Sequence, residues 1–250
     1  MPNLPNVDWK KLAIESLAIV ASILFAFSID AWWNERQRAI EEEVILVSLY
    51  VEAQDVIRSV EEARRYIGAI KDSTRQMINA SVASDIAMTD DEIDQLFNSV
   101  LWHVDAASTS APIIESLINS GDVDSISNGE LRRLLGTFMI NLKAFRAEML
   151  RESEYFNRTL VPFVQKHVSM AQLYSLESYW PGDPERTYPP YGLARLKSTV
   201  SHRDVLESRE LQNILLHRLT TLTNILEWNR SLIEEQLEII LELTERELEI

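Results

Sequence analysis

The apolar segment at residues 12–33, LAIESLAIVASILFAFSIDAWW, constrains this chain more than any other feature. No charged residue lies between Ser16 and Ile29. From Lys11 to Asp30, a helix with a rise of about 1.5 Å per residue would extend roughly 28 Å. The hydrocarbon core of a bilayer is about 30 Å thick. The segment therefore predicts a single transmembrane helix.

The residues that flank this segment are those expected at a membrane interface. Lys10 and Lys11 precede it, and Trp32 and Trp33 end it. Lysine and tryptophan side chains are common anchors at the boundary between lipid and water. The bulky tryptophans also argue against a signal-peptide cleavage site, which needs small residues. The alternative is a buried core helix, because the charge-free run is only 14 residues long.

Small and polar residues recur on one side of the predicted span. Ala18, Ser22, Ala26 and Asp30 follow one another at intervals of four, and Glu15 lies close to the same face. Small residues allow a second helix to approach, and polar residues can form hydrogen bonds across the contact. These five residues therefore predict a helix–helix contact within the membrane, with a second copy or with another subunit. The alternative is a lone helix whose acids reach the headgroup region.

The orientation follows less directly from the sequence. Lys10 and Lys11 precede the span and Arg36 and Arg38 follow it, so the count of basic residues on the two sides is nearly tied. A short N-terminus inside and a large domain outside is the simpler topology. We therefore expect a single-pass protein of a bacterial inner membrane, with a cytoplasmic N-terminus and most of the chain in the periplasm.

The composition limits the partners. The net charge of −15 disfavours nucleic acid, because phosphate backbones attract basic surfaces. The chain contains no cysteine, so it forms no disulfide. The predicted partners are membrane lipid, further copies of this chain and other membrane-protein subunits.

The pattern of apolar residues beyond the span predicts an all-α fold. The domains expected are a short N-terminal segment at 1–11, the transmembrane helix at 12–33 and a helical bundle at 36–250. One nearly continuous helix from residue 9 to about residue 83 should carry a stripe spaced by threes and fours, which is either a seam within the bundle or an intermolecular coiled coil. This stripe comprises Leu46, Leu49, Ala53, Val56, Val60, Ala63, Ile67, Ile70, Thr74 and Met77.

The lengths of the helices suggest a long antiparallel bundle. Three long helices of similar length, with short tip helices between the first two, predict an up–down–up arrangement. That arrangement puts the loop at 178–200 near the membrane and the C-terminus away from it. The loop is rich in proline and contains Tyr179, Trp180, Tyr188 and Tyr191. These aromatic side chains could contact a partner or the membrane surface, or simply pack on the bundle.

The sequence contains no recognisable catalytic signature, and we predict no catalytic residue, no cofactor and no metal site. Glycine-rich phosphate loops and the usual zinc-protease and hydrolase motifs are absent from it. The acidic residues near the C-terminus are typical of a solvated helix face. Asn229 and Gln236 interrupt the apolar pattern of the last helix, where they could fix the register or point to solvent.

The span, the Trp-Trp-Asn-Glu-Arg sequence and the segment at 113–138 together resemble an uncharacterised bacterial family. Its members are single-span inner-membrane proteins with a helical extramembrane domain of unknown function. The resemblance covers roughly residues 10–140 and implies no established activity. The residues that match the family's second motif are Ser120, Gly121, Val123, Ile126, Asn128, Glu130, Leu131 and Arg132. Physically, this motif predicts a tight turn in which Gly121 ends one helix and Ser127 starts the next.

Together these features predict a non-enzymatic structural, scaffold or accessory subunit. It would assemble through its transmembrane helix and stalk, as a homo-oligomer or within a larger membrane complex. The alternative is a ligand-sensing helical bundle outside the cytoplasm that signals through a partner protein. An enzyme is the least favoured class.

Overall fold

The chain forms an all-α protein, as its sequence predicts. The computed structural model describes residues 9–83, 88–104, 109–188 and 200–249, with side chains from residue 17 onward except Ser178, Pro184 and Tyr188. The helices are α1 (Trp9–Val82), α2 (Asp90–Val100), α3 (Pro112–Ser120), α4 (Gly129–Tyr155), α5 (Val161–His167), α6 (Met170–Leu173), α7 (Arg203–Leu206), α8 (Arg209–Trp228) and α9 (Glu235–Leu248). A hairpin of β1 (Ser178–Trp180) and β2 (Asp183–Tyr188) lies between α6 and α7. The π-helical turns Phe156–Leu160 and Asn229–Glu234 join α4 to α5 and α8 to α9.

Helix α1 runs without a break from the apolar segment into the bundle, over 74 residues. Its long stripe, from Leu46 to Met77, is buried throughout and packs mainly against α8 and α9. The prediction of one continuous helix is therefore confirmed. Of the two roles left open for this stripe, the structure shows the seam within the bundle.

The middle helix runs in the opposite direction to the one predicted. At the start of α4, the Ser127 amide and hydroxyl donate to the Glu42 carboxylate, at 2.5 and 2.6 Å. At the same level, the side-chain amide of Asn128 donates to Glu247 near the end of α9, at 2.7 Å. We call this end of the bundle, nearest to the apolar segment, the near end. Helices α1 and α4 therefore both lead away from it, and the C-terminus returns to it.

The position of the start of α8 agrees with these helix directions. The Gln212 side chain donates to the Ser81 carbonyl, at 2.9 Å. Ser81 lies at the end of α1, and we call this end of the bundle the far end. The observed sequence of directions is up, up and down, so the predicted up–down–up order is wrong. The physical reason is that the segment from α2 to α3 is long enough to carry the chain back down the side of α1.

A carboxylate on α1 fixes this return path. The Glu52 oxygens accept hydrogen bonds from the backbone amides of Ile113 and Ile114, at 2.6 and 2.7 Å, and so satisfy the first turn of α3. Burial raises the pKa of Glu52, and the two amide hydrogen bonds oppose this shift. Glu52 thereby anchors the start of α3 to the near half of α1.

The turn between α3 and α4 largely follows the sequence. Gly121 ends α3 with a left-handed φ of 86°, as predicted. The predicted start at Ser127 is wrong by one residue. Asn128 is the N-cap, and its side-chain oxygen accepts hydrogen bonds from the amides of Glu130 and Leu131. Ser127 is instead held by Glu42 on α1.

A fully buried ion pair lies in the middle of the bundle. Arg218 on α8 donates through Nε to Glu152 on α4, at 2.8 Å, and both side chains have no exposed surface. The guanidinium also donates to the carbonyls of Val100 and Trp102, and it lies 4.8 Å from the centre of the Phe156 ring. Burial lowers the pKa of Arg218, and the charge of Glu152 opposes this shift. The pair therefore joins α8, α4 and the end of α2.

A second buried polar cluster joins the short helices at the far end. The His202 ring nitrogen Nδ1 lies 2.6 Å from Asp94, and Nε2 accepts the Ser169 amide at 3.0 Å. Because Nε2 accepts a hydrogen bond, the ring is the neutral tautomer that donates through Nδ1. The Gln172 side chain also donates to Asp94. All of these contacts connect α2 with α6 and α7.

Replacing Arg218 by methionine should destabilise the bundle by about 3–5 kcal/mol, because Glu152 would stay buried without its counter-charge. Urea unfolding of the detergent-solubilised protein, followed by circular dichroism, measures this change. The exposed Arg230→Met is the control and should change the free energy of unfolding by less than about 0.5 kcal/mol. The double variant Glu152→Leu/Arg218→Met should recover most of the loss; no recovery would show that the carbonyl contacts of Arg218 matter more than its charge.

Replacing Asn229 by leucine should have the opposite effect. Asn229 is fully buried in the second π-helical turn, and within the described residues neither its side-chain oxygen nor its nitrogen has a hydrogen-bond partner. An unsatisfied buried polar group costs about 1–3 kcal/mol, which the leucine would remove. The same unfolding measurement tests this, with the exposed Asn224→Leu as control. A less stable Asn229→Leu protein would contradict the inference.

Candidate functional site: the uncovered face of the first helix

The apolar segment of α1 is uncovered along its whole described length. In the part of the chain with described side chains, α1 is the one helix long and apolar enough to cross a membrane, and none of its most apolar window is buried. The exposed large side chains in this segment are Leu17, Ile19, Val20, Ile23, Leu24, Phe25, Phe27, Ile29, Trp32 and Trp33. A core helix of this chain would be buried, and the described part of this segment is not. The long apolar helix is compatible with single-pass membrane anchoring.

The predicted contact residues share one exposed side of this helix. Steps of four residues place Ala18, Ser22, Ala26 and Asp30 within an arc of about 120°. The Ser22 hydroxyl donates to the Ala18 carbonyl, at 2.8 Å, and so its proton is used within the helix. Glu15 belongs to the helical backbone of α1, but its side chain lies outside the described residues. The same holds for the predicted interface residues Lys10 and Lys11.

Beyond the apolar segment, the same side of α1 carries a second set of exposed apolar residues. Ile40, Val44, Val47 and Val51 are 46, 62, 49 and 51% exposed. They are spaced by four, three and four residues, which is the spacing of one helix face. We define the uncovered face as Ala18, Ser22, Ala26, Asp30, Trp33, Ile40, Val44, Val47 and Val51.

The uncovered face lies opposite the buried seam of α1. With about 100° between successive residues, Leu46 and Leu49 lie roughly half a turn away from Val44 and Val47. Helix α1 therefore has two apolar sides, of which the bundle covers one. The sequence-based prediction covered only the buried stripe, although the 4-3-4 spacing of Ile40, Val44, Val47 and Val51 is a signal for the second apolar side.

The aromatic loop forms the β-hairpin and packs on the far half of α1. The Trp180 ring lies 5.3 Å from Tyr66 and 5.3 Å from Trp102, and the Arg186 guanidinium lies 4.3 Å from the Trp180 ring. Tyr66 also donates to the His103 carbonyl, at 3.0 Å. Trp180 therefore packs on the protein's own bundle, while Tyr179 is exposed. The side chain of Tyr188 and the whole of Tyr191 lie outside the described residues.

The predicted position of this loop beside the membrane is wrong. A Cβ on Gly182, in the hairpin turn, would lie 3.0 Å from the Arg65 carbonyl oxygen. Arg65 is 32 residues beyond Trp33, which is roughly 48 Å along a helix. The loop lies there because α4 leads away from the near end and delivers the hairpin to the upper half of the bundle.

A cleft of about 380 Å³ opens between the hairpin and α1. Tyr66 and Trp180 provide aromatic surface, while Glu62 and Arg186 provide opposite charges. The remaining lining residues are Ser59, Ala63, Ile67, His103, Val104 and Met149. A cleft with apolar walls and a few charged groups can hold a small amphipathic molecule.

Several of the described titratable residues form ion pairs. No three of the described histidine, aspartate and glutamate side chains group together as metal ligands would. Among the acids near the C-terminus, Glu234 lies 3.4 Å from Arg64, and Glu242 lies 3.1 Å from Arg246. This acidic surface is thus partly neutralised by ion pairs.

The chain matches no protein-family model, no curated protein and no solved structure. The fold and the uncovered face therefore define only a broad class, an all-α bundle carried on a long apolar helix. The resemblance to the uncharacterised single-span family stays a prediction.

Replacing Gly182 by alanine should detach the hairpin from α1. Gly182 has a φ of +79°, and the new Cβ would meet the Arg65 backbone. A non-glycine residue in such a conformation costs about 1–3 kcal/mol, so amide exchange in β1 and β2 should rise at least several-fold. Hydrogen exchange measured by mass spectrometry tests this. Gly136→Ala, which has open space around its Cβ, is the control, and equal protection in both variants would contradict the described contact.

Proposed function

We propose that this protein is a non-enzymatic, membrane-anchored structural or accessory subunit, which assembles through α1 with further copies of itself or within a larger membrane complex. The observation that carries this proposal is the uncovered face of α1, which continues from the apolar segment to Val51. Lipid would surround the apolar segment, and protein would cover the part of the face beyond it.

The distances along α1 support the expectation that protein, and not lipid, covers the part of the face beyond the apolar segment. Val44 and Val51 lie 11 and 18 residues beyond Trp33, or roughly 16 and 27 Å along the helix. The headgroup layer adds only about 5–8 Å on each side of the hydrocarbon core. Lipid therefore reaches neither valine, and exposed apolar side chains in a row are typical of a protein interface.

The expected setting is a bacterial inner membrane, with the N-terminus in the cytoplasm and the bundle in the periplasm. This orientation follows from the simpler topology for a short N-terminus. The absence of an enzymatic role is also part of the proposal. It is supported by the buried charged and titratable groups Arg218, Glu152, Asp94 and His202, which bind to one another or to the backbone within the bundle.

A ligand-sensing bundle is the second candidate function. The cleft between Trp180 and α1 favours it, because the cleft combines aromatic walls with a cation and an anion. A signal from such a ligand would have to pass through a partner protein.

Assembly predicts a clear result for the protein extracted from membranes in mild detergent. Native mass spectrometry should give a mass above the 28.8 kDa of one chain. Ser22→Leu/Ala26→Leu should shift the distribution towards a single chain, because bulky side chains would keep a second helix away.

The matched control is Ala21→Leu/Ser28→Leu, which makes the same two changes on the opposite side of the same helix. It should leave the assembly intact. A wild-type protein that is extracted as a single chain, with no other protein bound, would contradict the proposed function.

A further inference from the structure

We propose that the uncovered face of α1 pairs with the same face of a second copy of this chain, in parallel and in register. This inference rests on the proposed function and specifies the partner. The two bundles would lie on the outer sides of a central pair of α1 helices.

The spacing of residues on the uncovered face is that of a coiled coil. In heptad notation, Trp33, Ile40 and Val47 occupy d positions, and Val44 and Val51 occupy a positions, with only Gln37 polar between them. Branched apolar residues at alternating a and d positions form the core of coiled coils. The buried residues Leu46 and Leu49 fall at c and f, on the outside of such a pair. A second helix on these a and d positions would therefore lie away from α8 and α9, with the turn at Asp122 and Ser125 beside Ile40 and Val44.

The anchoring sets the direction of the two helices. Both copies would enter the membrane by the same segment, so their stalks leave it in the same direction. Within the membrane, the face continues as the small residues Ala18, Ser22 and Ala26, which allow close approach. The chain contains neither proline nor glycine between residues 9 and 67, so the pairing can continue from the span into the stalk.

The charges beside the face complement one another in this register. In a parallel pair, a g position lies beside the next e position of the other helix. Arg36 at g would face Glu41 of the second copy, and Glu43 at the next g would face the neutral Ser48. A parallel, in-register pair therefore brings opposite charges together and creates no repulsive g–e contact in this segment.

The hairpin limits the upper end of the face. At about 100° per residue, Glu62 and Arg65 project from the same side of α1 as Val44 and Val47. The hairpin occupies this side at Arg65 and Tyr66. Below it, the next two heptad positions are the polar Gln54 and Arg58, and Arg58 pairs with Asp55 at 2.6 Å. The apolar face thus ends at Val51, and the chain's own hairpin covers the side above it.

Disulfide cross-linking tests this pairing directly, because the chain has no cysteine of its own. Single variants Val44→Cys and Val47→Cys, in the full chain and in native membranes, should form covalent dimers under mild oxidation. Ala39→Cys, an exposed position at c on another side of the same helix, is the matched control and should cross-link at least several-fold less. Arg36→Glu in the Val44→Cys background should lower the dimer yield about two-fold or more, and Arg36→Glu/Glu41→Arg should restore it.

The outcomes separate this inference from the proposed function. Cross-linking of Val44→Cys and Val47→Cys above the Ala39→Cys control supports the paired face. Equal cross-linking at all three positions would indicate random collision and overturn it. Absence of cross-linking, together with other membrane proteins extracted at a fixed ratio, would overturn the pairing and leave the accessory-subunit function. Absence of cross-linking, together with extraction as a single chain without any other protein bound, would overturn both proposals.

Discussion

The buried pair of Arg218 and Glu152 is the constraint on which the upper half of the structure depends. A guanidinium without exposed surface needs several acceptors, and Arg218 finds them on α4 and at the end of α2. Its hydrogen bond to Trp102 fixes the segment that follows α2. That segment supplies the His103 carbonyl for Tyr66 and the Trp102 ring for Trp180. The position of the hairpin and its cleft therefore depends on a buried ion pair inside the bundle.

The lower half of the structure depends on the two apolar sides of α1. The bundle covers the side of Leu46 and Leu49, while the side of Val44 and Val47 faces outward. Because one rigid helix carries both sides, a contact made on the outer side also fixes the position of the bundle. Glu42 and Glu52 strengthen this coupling, since they bind the start of α4 and the start of α3. The bundle is thus attached to α1 at several levels and would follow any movement of that helix.

The features that could be predicted from the sequence are those set by local periodicity. The extent of α1, its buried stripe and the helix end at Gly121 follow from neighbouring residues alone. The direction of α4 does not, because an apolar stripe looks the same in either direction. The partner of Arg218 could not be predicted either, since Glu152 lies 66 residues earlier. The exposed valines were missed because exposure depends on which side the bundle covers, and that is a property of the packed structure.

The position of the hairpin relates the two proposed functions. It covers the upper part of the same side of α1 whose lower part is uncovered, so the cleft beside Trp180 lies directly above the proposed pairing surface. A molecule bound between Glu62 and Arg186 would therefore contact α1, the helix through which two copies would pair. Since α1 contains no proline or glycine before Gly68, a small rotation imposed at the cleft would not be absorbed by a hinge before it reached Val51. Assembly and ligand sensing are thus physically compatible in this chain, with α1 as their common element.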